Sequence, residues 1–166
     1  MKRLLCLTML LTAAVIMRGQ DFASKFMSQA NKKNELHCQT VSPKMMSKLV
    51  KVPEDNENNS DNEMSVLLGK LKSARIVTAP KNGKKYFNQA KALVENNKNR
   101  FTPFAEYTEN KKNQIFVRKH GDTIIELVML DYNPGAGVFT IINLTGEMDN
   151  QFISLLSRKK KETDMN

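Results

Sequence analysis

The sequence is poor in the residues and motifs that usually carry catalysis. Its 166 residues include two cysteines and two histidines. It has no Gly-x-Ser-x-Gly motif and no glycine-rich phosphate loop, the patterns typical of many hydrolases and nucleotide-binding proteins. Zinc sites generally need three or four convergent ligands, and the few histidines and cysteines are a meagre supply. The sequence therefore predicts no cofactor and no metal site.

Two of these scarce residues, His37 and Cys38, are neighbours. Residues 36–41 alternate apolar and polar side chains as a strand does, and adjacent side chains of a strand point to opposite faces. The two cannot readily bind one metal ion. Because Cys38 shares its face with Leu36, we expect it to be reduced and at least partly buried. His120 falls in a predicted hairpin turn, where we expect it to be solvated.

A long, mostly apolar run lies at the start of the chain. Lys2 and Arg3 precede residues 4–17, 14 residues without a charged side chain, which is the layout of a secretory signal peptide. A bilayer-spanning helix needs about 20 apolar residues, so a retained membrane anchor is the less favoured interpretation. We expect residues 1–19 to be a cleaved signal peptide and the protein to reach the periplasm or cell envelope.

Removal of this segment changes the charge and the cysteine content. Lys2, Arg3 and Arg18 would be lost with no acid, so the net charge falls from +9 to +6. Cys6 would also be lost, and Cys38 could then form no disulfide within the chain. The remaining residues 20–166 are enough for one domain with a hydrophobic core. We expect them to form a single domain without a transmembrane segment.

The order of helical and strand patterns indicates an α+β fold. Consecutive hairpin strands beside helical crossovers predict a largely antiparallel sheet of about five to six strands packed with helices. The predicted helices are 21–30, 43–50, 64–71, 84–97 and a last one capped by Asp149. The predicted strands are 36–41, 74–78, 101–108, 114–119, 123–132 and 138–145.

Residues 53–63 form an acidic, asparagine-rich segment with no large apolar residue. Such a segment gains nothing by burial, so we expect a mobile loop. Its alternating acids are similar to those of a calcium loop. However, Ser60 and Val66 stand where a helix-loop-helix calcium site needs glycine and a bidentate glutamate. A solvated loop is therefore favoured over a calcium site.

Glu126 is the one polar residue in the stretch 124–130, and that pattern predicts a central strand covered on both faces. A buried acid is a candidate functional residue. A two-residue turn at 120–121 would place Ile115 opposite Glu126, which leaves no second acid for a two-carboxylate hydrolase mechanism. We expect Glu126 to lie near a sheet edge or to pair with a lysine from a covering helix.

Basic residues are frequent, and four of them end the last predicted helix. No aromatic RNA-binding motif accompanies them, so the sequence predicts no nucleic-acid partner. Attraction to anionic envelope polymers or lipid headgroups explains the charge more simply. The candidate functional surface consists of Glu126 and the terminal cluster Arg158, Lys159, Lys160 and Lys161.

Three stretches resemble a known family: residues 41–49 (VSPKMMSKL), 124–128 (IIELV) and 143–149 (NLTGEMD). They are similar to the bacterial family named domain of unknown function 4252, and the resemblance covers most of the chain after the signal peptide, including Phe22 and Phe26. These are packing and turn signatures without catalytic residues. The resemblance implies a small exported or envelope-attached protein.

Together these features predict an exported, noncatalytic binding or interaction domain of the bacterial cell envelope. Its partner would be an envelope protein or an anionic envelope component. The alternative is a small periplasmic hydrolase that acts on envelope material through an unrecognised site. A deep pocket containing Glu126 and other polar groups would favour the hydrolase, and a shallow basic or aromatic surface would favour binding.

Overall fold

The structure, a computed structural model, describes residues 20–42, 45, 69–104, 113–149 and 152. The predicted signal peptide, the acidic loop, the terminal basic cluster and, apart from residue 45, the predicted helix at 43–50 lie outside these residues. In chain order the elements are α1 (Phe22–Ala30), β1 (His37–Val41), β2 (Leu71–Ala79), α2 (Gly83–Glu95), β3 (Thr102–Pro103), β4 (Asn113–His120), β5 (Thr123–Asn133) and β6 (Val138–Met148).

All six strands belong to one sheet in the order β1-β2-β6-β5-β4-β3. Every neighbouring pair is antiparallel. Consecutive hairpins join β4, β5 and β6, whereas β2 reaches β6 from a distant part of the sequence. The predicted α+β fold with a largely antiparallel sheet of five to six strands is confirmed. No helix in the described part of the chain is long and apolar enough to cross a membrane.

The helix α1 begins where Asp21 caps it, because the Asp21 carboxylate accepts a hydrogen bond of 2.8 Å from Ser24 N. Phe22 and Phe26 lie one helical turn apart, and both are buried against the sheet. Phe22 also meets Phe101 edge to face, with 5.7 Å between ring centroids. This helix is therefore part of the core of the protein.

The helix α2 covers the same face of the sheet. Tyr86, Ala90 and Val94 recur at spacings of four residues and are buried, while Phe87 and Leu93 are half-buried. The sequence predicted this face except for Tyr86. The first residue of α2, Gly83, lies against the turn between β5 and β6. Gly83 N donates to Gly137 O at 3.0 Å.

The opposite face of the sheet carries a second apolar cluster. Its buried members are Leu71, Ala74, Ile115, Val117, Ile124, Leu127, Leu144, Met148 and Phe152. The Asp149 carboxylate accepts a hydrogen bond of 2.9 Å from Phe152 N, which confirms the predicted helix cap. Burial on both faces explains why residues 124–130 of β5 are apolar except for Glu126.

Two sequence predictions on the strands were wrong. Cys38 is exposed although it pairs with the buried Val77, because β1 is an edge strand on which no side chain is buried. Leu71, predicted to end a helix, begins β2. The predicted strand 101–108 is described only as far as residue 104, and that part contains β3.

Candidate functional site

Glu126 lies on β5, which has β4 and β6 as neighbours, so the predicted central strand is confirmed. Its side chain lies on the face covered by the two helices and is 0% exposed. The expectation of a position near a sheet edge was wrong. A fully buried carboxylate needs charged or hydrogen-bonding partners, because burial removes its hydration.

Two arginines contact one oxygen of this carboxylate. Arg118 Nε and Nη2 each lie 2.8 Å from Glu126 Oε2, and Arg100 Nη2 lies 3.4 Å from the same atom. The partners are arginines from β4 and from the segment after α2, not the expected lysine of a helix. A guanidinium presents several donors in a fixed plane, which suits a buried carboxylate.

The hairpin register explains why Arg118 was missed. The turn residues are Gly121 and Asp122, one position later than predicted, and Gly121 has the left-handed φ of 60°. An irregularity between Arg118 and Lys119 shifts the register further. As a result Arg118 lies opposite Glu126, where the sequence had predicted Ile115.

The other carboxylate oxygen receives the start of α1. Phe22 N donates to Glu126 Oε1 at 2.6 Å, and Asn143 Nδ2 donates to the same oxygen at 3.2 Å. Asn143 in turn accepts a bond of 2.9 Å from Ala23 N. Asp21 accepts from Ser24 N in the same way. Side chains therefore satisfy the first three backbone N–H groups of α1, which have no partners within the helix.

Further arginine contacts lie next to these residues. Arg75 Nη1 lies 3.2 Å from the Asp21 carboxylate and also contacts the Ser24 hydroxyl. Arg100 Nη2 donates to Gln20 O at 2.5 Å. Arg75 on β2 and Arg100 after α2 therefore hold the residues at the start of α1 in place.

These contacts decide what Glu126 can do. Both of its oxygens are occupied by protein donors, and α1 separates the carboxylate from solvent. A general acid or a nucleophile must reach its substrate. The Glu126 cluster, defined as Glu126, Asn143, Arg118 and Arg100, is an internal anchor for α1.

A different place offers an accessible surface. The beginning of α2 and the turn between β5 and β6 enclose an open depression of about 490 Å³. We call it the α2 depression; its lining residues are Asn82, Gly83, Lys84, Lys85, Asn88, Tyr132 and Gly137. Among the described residues, this lining includes two lysines and no acid.

Beside the depression, a hydrogen bond ties α2 to the segment before β1. Tyr86 Oη donates to Glu35 Oε2 at 2.5 Å. This bond lowers the pKa of the Glu35 carboxyl, with further contributions from the nearby amines of Lys85 and Lys33. The same bond, together with burial, raises the pKa of the Tyr86 hydroxyl. Ionised Glu35 thus fixes the position of the buried tyrosine.

The structure does not bring the sequence-predicted candidates into one site. Glu126 is internal and does not line the α2 depression, and the cluster 158–161 lies outside the described residues. His37, Cys38 and His120 are exposed. Among the described residues, no three His, Cys, Asp or Glu side chains converge as a metal site requires.

Sequence reasoning recognised Lys84 and Lys85 only as frequent basic residues and did not select Tyr132. The signal available was turn chemistry, since Asn82-Gly83 precedes α2 and Asn133-Pro134-Gly135 follows Tyr132. Nothing in the sequence indicated that these two turns meet. The contact between them depends on the sheet order.

Comparison with known proteins gives one similarity. The model of the family described as "Domain of unknown function (DUF4252)" matches residues 25–156, which is most of the chain. No curated protein and no solved structure is significantly similar to the chain. The sequence resemblance to this family is confirmed.

Proposed function

We propose that this chain, which belongs to the DUF4252 family, is an exported, noncatalytic interaction domain that binds anionic components of the bacterial cell envelope. The observation that carries the proposal is the α2 depression, which is open and which, among the described residues, is lined by Lys84 and Lys85 but by no acid. Surfaces lined by one sign of charge attract ligands of the opposite sign. The amino-terminal sequence supports export, because its charged start and uncharged run have the layout of a signal peptide.

The hydrolase alternative receives less support from the geometry. Its best candidate was Glu126 in a deep pocket with other polar groups. Glu126 is instead fully buried, and its polar neighbours are donors that stabilise its charge. A substrate could reach it only if α1 left the sheet.

Charge also supports an electrostatic contribution to binding. The whole chain has a net charge of +9, and loss of the predicted signal peptide would leave +6. Attraction between exposed charges is screened over about 8 Å at physiological ionic strength. Binding to anionic envelopes should therefore weaken steeply as salt is added. The terminal residues Arg158–Lys161 should contribute to the same attraction.

Export is tested by fractionation of the native host and mass spectrometry of the protein. We expect the protein in the periplasmic or envelope fraction, with its first residue near Gln20. An intact Met1 in the cytosolic fraction would contradict the proposal. This measurement does not depend on any binding assay.

Envelope binding is tested by sedimentation of the purified protein with isolated envelopes over a range of salt concentrations. We expect binding to fall with salt, and to fall further in Lys84→Gln/Lys85→Gln and in a variant with glutamine at positions 158–161. The matched control is Lys98→Gln/Lys119→Gln, which removes the same charge from two exposed lysines outside the depression. Binding that is insensitive to salt and equal in all variants would overturn the electrostatic proposal.

A further inference from the structure

We infer that the α2 depression binds an acidic saccharide, with Tyr132 as the surface on which a sugar ring lies. This inference rests on the proposed function and names the class of its ligand. The residues of the site come from two parts of the chain that are separated in sequence. One is the start of α2, and the other is the end of β5 with the turn that follows. Tyr132 and the two lysines supply different kinds of contact.

Tyr132 is a half-buried aromatic residue that lines the depression. Its ring stacks on Phe87, with 5.7 Å between centroids and 24° between planes. Phe87 in turn meets the buried ring of Phe139 edge to face at 5.8 Å. The three rings hold Tyr132 in one orientation. Fixed aromatic rings of this kind pack against the C–H face of a sugar ring.

The other lining side chains are suited to the polar groups of an acidic sugar. Lys84 and Lys85 are exposed and supply positive charge for a carboxylate or a phosphate group. The exposed Asn88 side chain can both donate to and accept from sugar hydroxyls. Asp131 is adjacent to Tyr132 in sequence, but alternation along β5 places it on the opposite face of the sheet.

The combination distinguishes a saccharide from a simple anion. Inorganic phosphate could use the lysines but would gain nothing from the Tyr132 ring. A neutral sugar could use the ring and Asn88 but would gain nothing from the charges of the two lysines. A saccharide with acid groups uses all of them, so it should bind more tightly than either.

The direct test is calorimetric titration of the purified full-length protein with hexagalacturonate, maltohexaose and inorganic phosphate. We expect the acidic hexasaccharide to bind at least tenfold more tightly than the other two. Backbone amide shifts in nuclear magnetic resonance spectra should be confined to residues near 82–88 and 132–137. Phosphate that binds as tightly as the acidic hexasaccharide would show a site that recognises charge alone, and would overturn the inference.

Variants test the role assigned to each side chain. Tyr132→Leu should reduce affinity for the acidic hexasaccharide at least tenfold. Tyr132→Phe keeps the ring and should retain most of the affinity of the unaltered protein. Lys84→Gln/Lys85→Gln should also reduce affinity, and the exposed Lys98→Gln should not. Equal affinity in Tyr132→Leu and the unaltered protein would overturn the inference. Thermal unfolding and the Tyr132→Phe result distinguish a lost contact from a lost fold.

Failure of this inference can be told apart from failure of the proposed function. If the protein sediments with envelopes in a salt-dependent way but does not bind the hexasaccharide, the saccharide inference is wrong and the proposed function stands. If the unaltered protein binds neither envelopes nor hexasaccharide, both are wrong. Hexasaccharide binding without export would support the inferred site and contradict the proposed location.

Discussion

Arg118 and Glu126 face each other across the β4–β5 hairpin, and the guanidinium reaches a single carboxylate oxygen through both Nε and Nη2, at 2.8 Å each. This leaves the second oxygen of Glu126 free to accept from Phe22 N. One side chain therefore joins a neighbouring strand and a helix from the other end of the chain. The stability of α1 on the sheet should depend on this carboxylate.

Glu126→Gln should be strongly destabilising, because it removes the charge that compensates Arg118 and Arg100 while keeping the size of the side chain. Removal of one member of a buried ion pair costs about 3–5 kcal/mol. Both arginines are partly exposed, so we expect about 3 kcal/mol, the lower end of that range. Urea unfolding measures the free energy.

The matched control for this change is Glu147→Gln, because Glu147 is an exposed acid on β6. Its free energy of unfolding should change by no more than about 0.5 kcal/mol. If Glu126→Gln is equally mild, the cluster does not anchor α1.

Gly83→Ala should destabilise the protein, although alanine is normally the better helix residue. A Cβ at this position would overlap Gly137 O and lie 2.8 Å from the Val138 carbonyl carbon. Overpacking of this kind costs about 1–3 kcal/mol. Gly69→Ala is the control, since a Cβ there meets nothing within 4 Å. The melting temperature should fall only in the first variant, and a fall of equal size in both would refute the close contact.

Tyr86→Phe should remove two opposite pH dependences of stability. The lowered pKa of Glu35 stabilises the folded protein above the ordinary glutamate pKa of about 4.3, and this contribution is lost as the pH falls through the lowered value. The raised pKa of Tyr86 stabilises below the ordinary tyrosine pKa of about 10, and this contribution is lost as the pH rises through the raised value.

The difference in melting temperature between the unaltered protein and Tyr86→Phe should therefore be largest at intermediate pH. It should decrease in acid and in alkali. Glu35→Gln is the paired control, and it should also remove the loss of stability that the Glu35 carboxyl causes in acid. A difference that is constant from acid to alkali would show that the hydrogen bond does not form in solution.

Cys38 should react with a thiol reagent in the folded protein, because its side chain is exposed on β1. Labelling of a Cys6→Ser protein should proceed without denaturant and stop when Cys38 is also replaced by serine. Reaction only after denaturation would mean that β1 is covered in solution.

The sequence was sufficient to predict most of the described elements. Residues 124–130 are apolar except for Glu126, and that pattern correctly predicted a strand buried on both faces. The helices at 21–30 and 84–97 and the cap at Asp149 were also correct within a few residues. Each of these signals is local, because periodicity and capping involve residues close together in sequence.

The candidate site was less predictable because its contacts are not local. A one-residue difference in the position of the turn, together with the irregularity between Arg118 and Lys119, decided that Arg118 and not Ile115 lies opposite Glu126. Two further features depend on the order of strands in the sheet. One is the hydrogen bond from Phe22 N to Glu126, and the other is the position of Tyr132 and Lys84 in the lining of one depression. Cys38 was wrongly predicted to be buried because alternation gives the face of a strand but not its place at the edge of the sheet.

The caps of α1 also have a consequence for the order of events during synthesis. Phe22 and Ala23 find their acceptors 104 and 120 residues later in the chain. A helix of nine residues has little stability alone, and contacts between distant residues form slowly. Among the described elements α1 is synthesised first, but its amino-terminal N–H groups find their acceptors only when β5 and β6 are present. This helix is therefore among the last of these elements to become native.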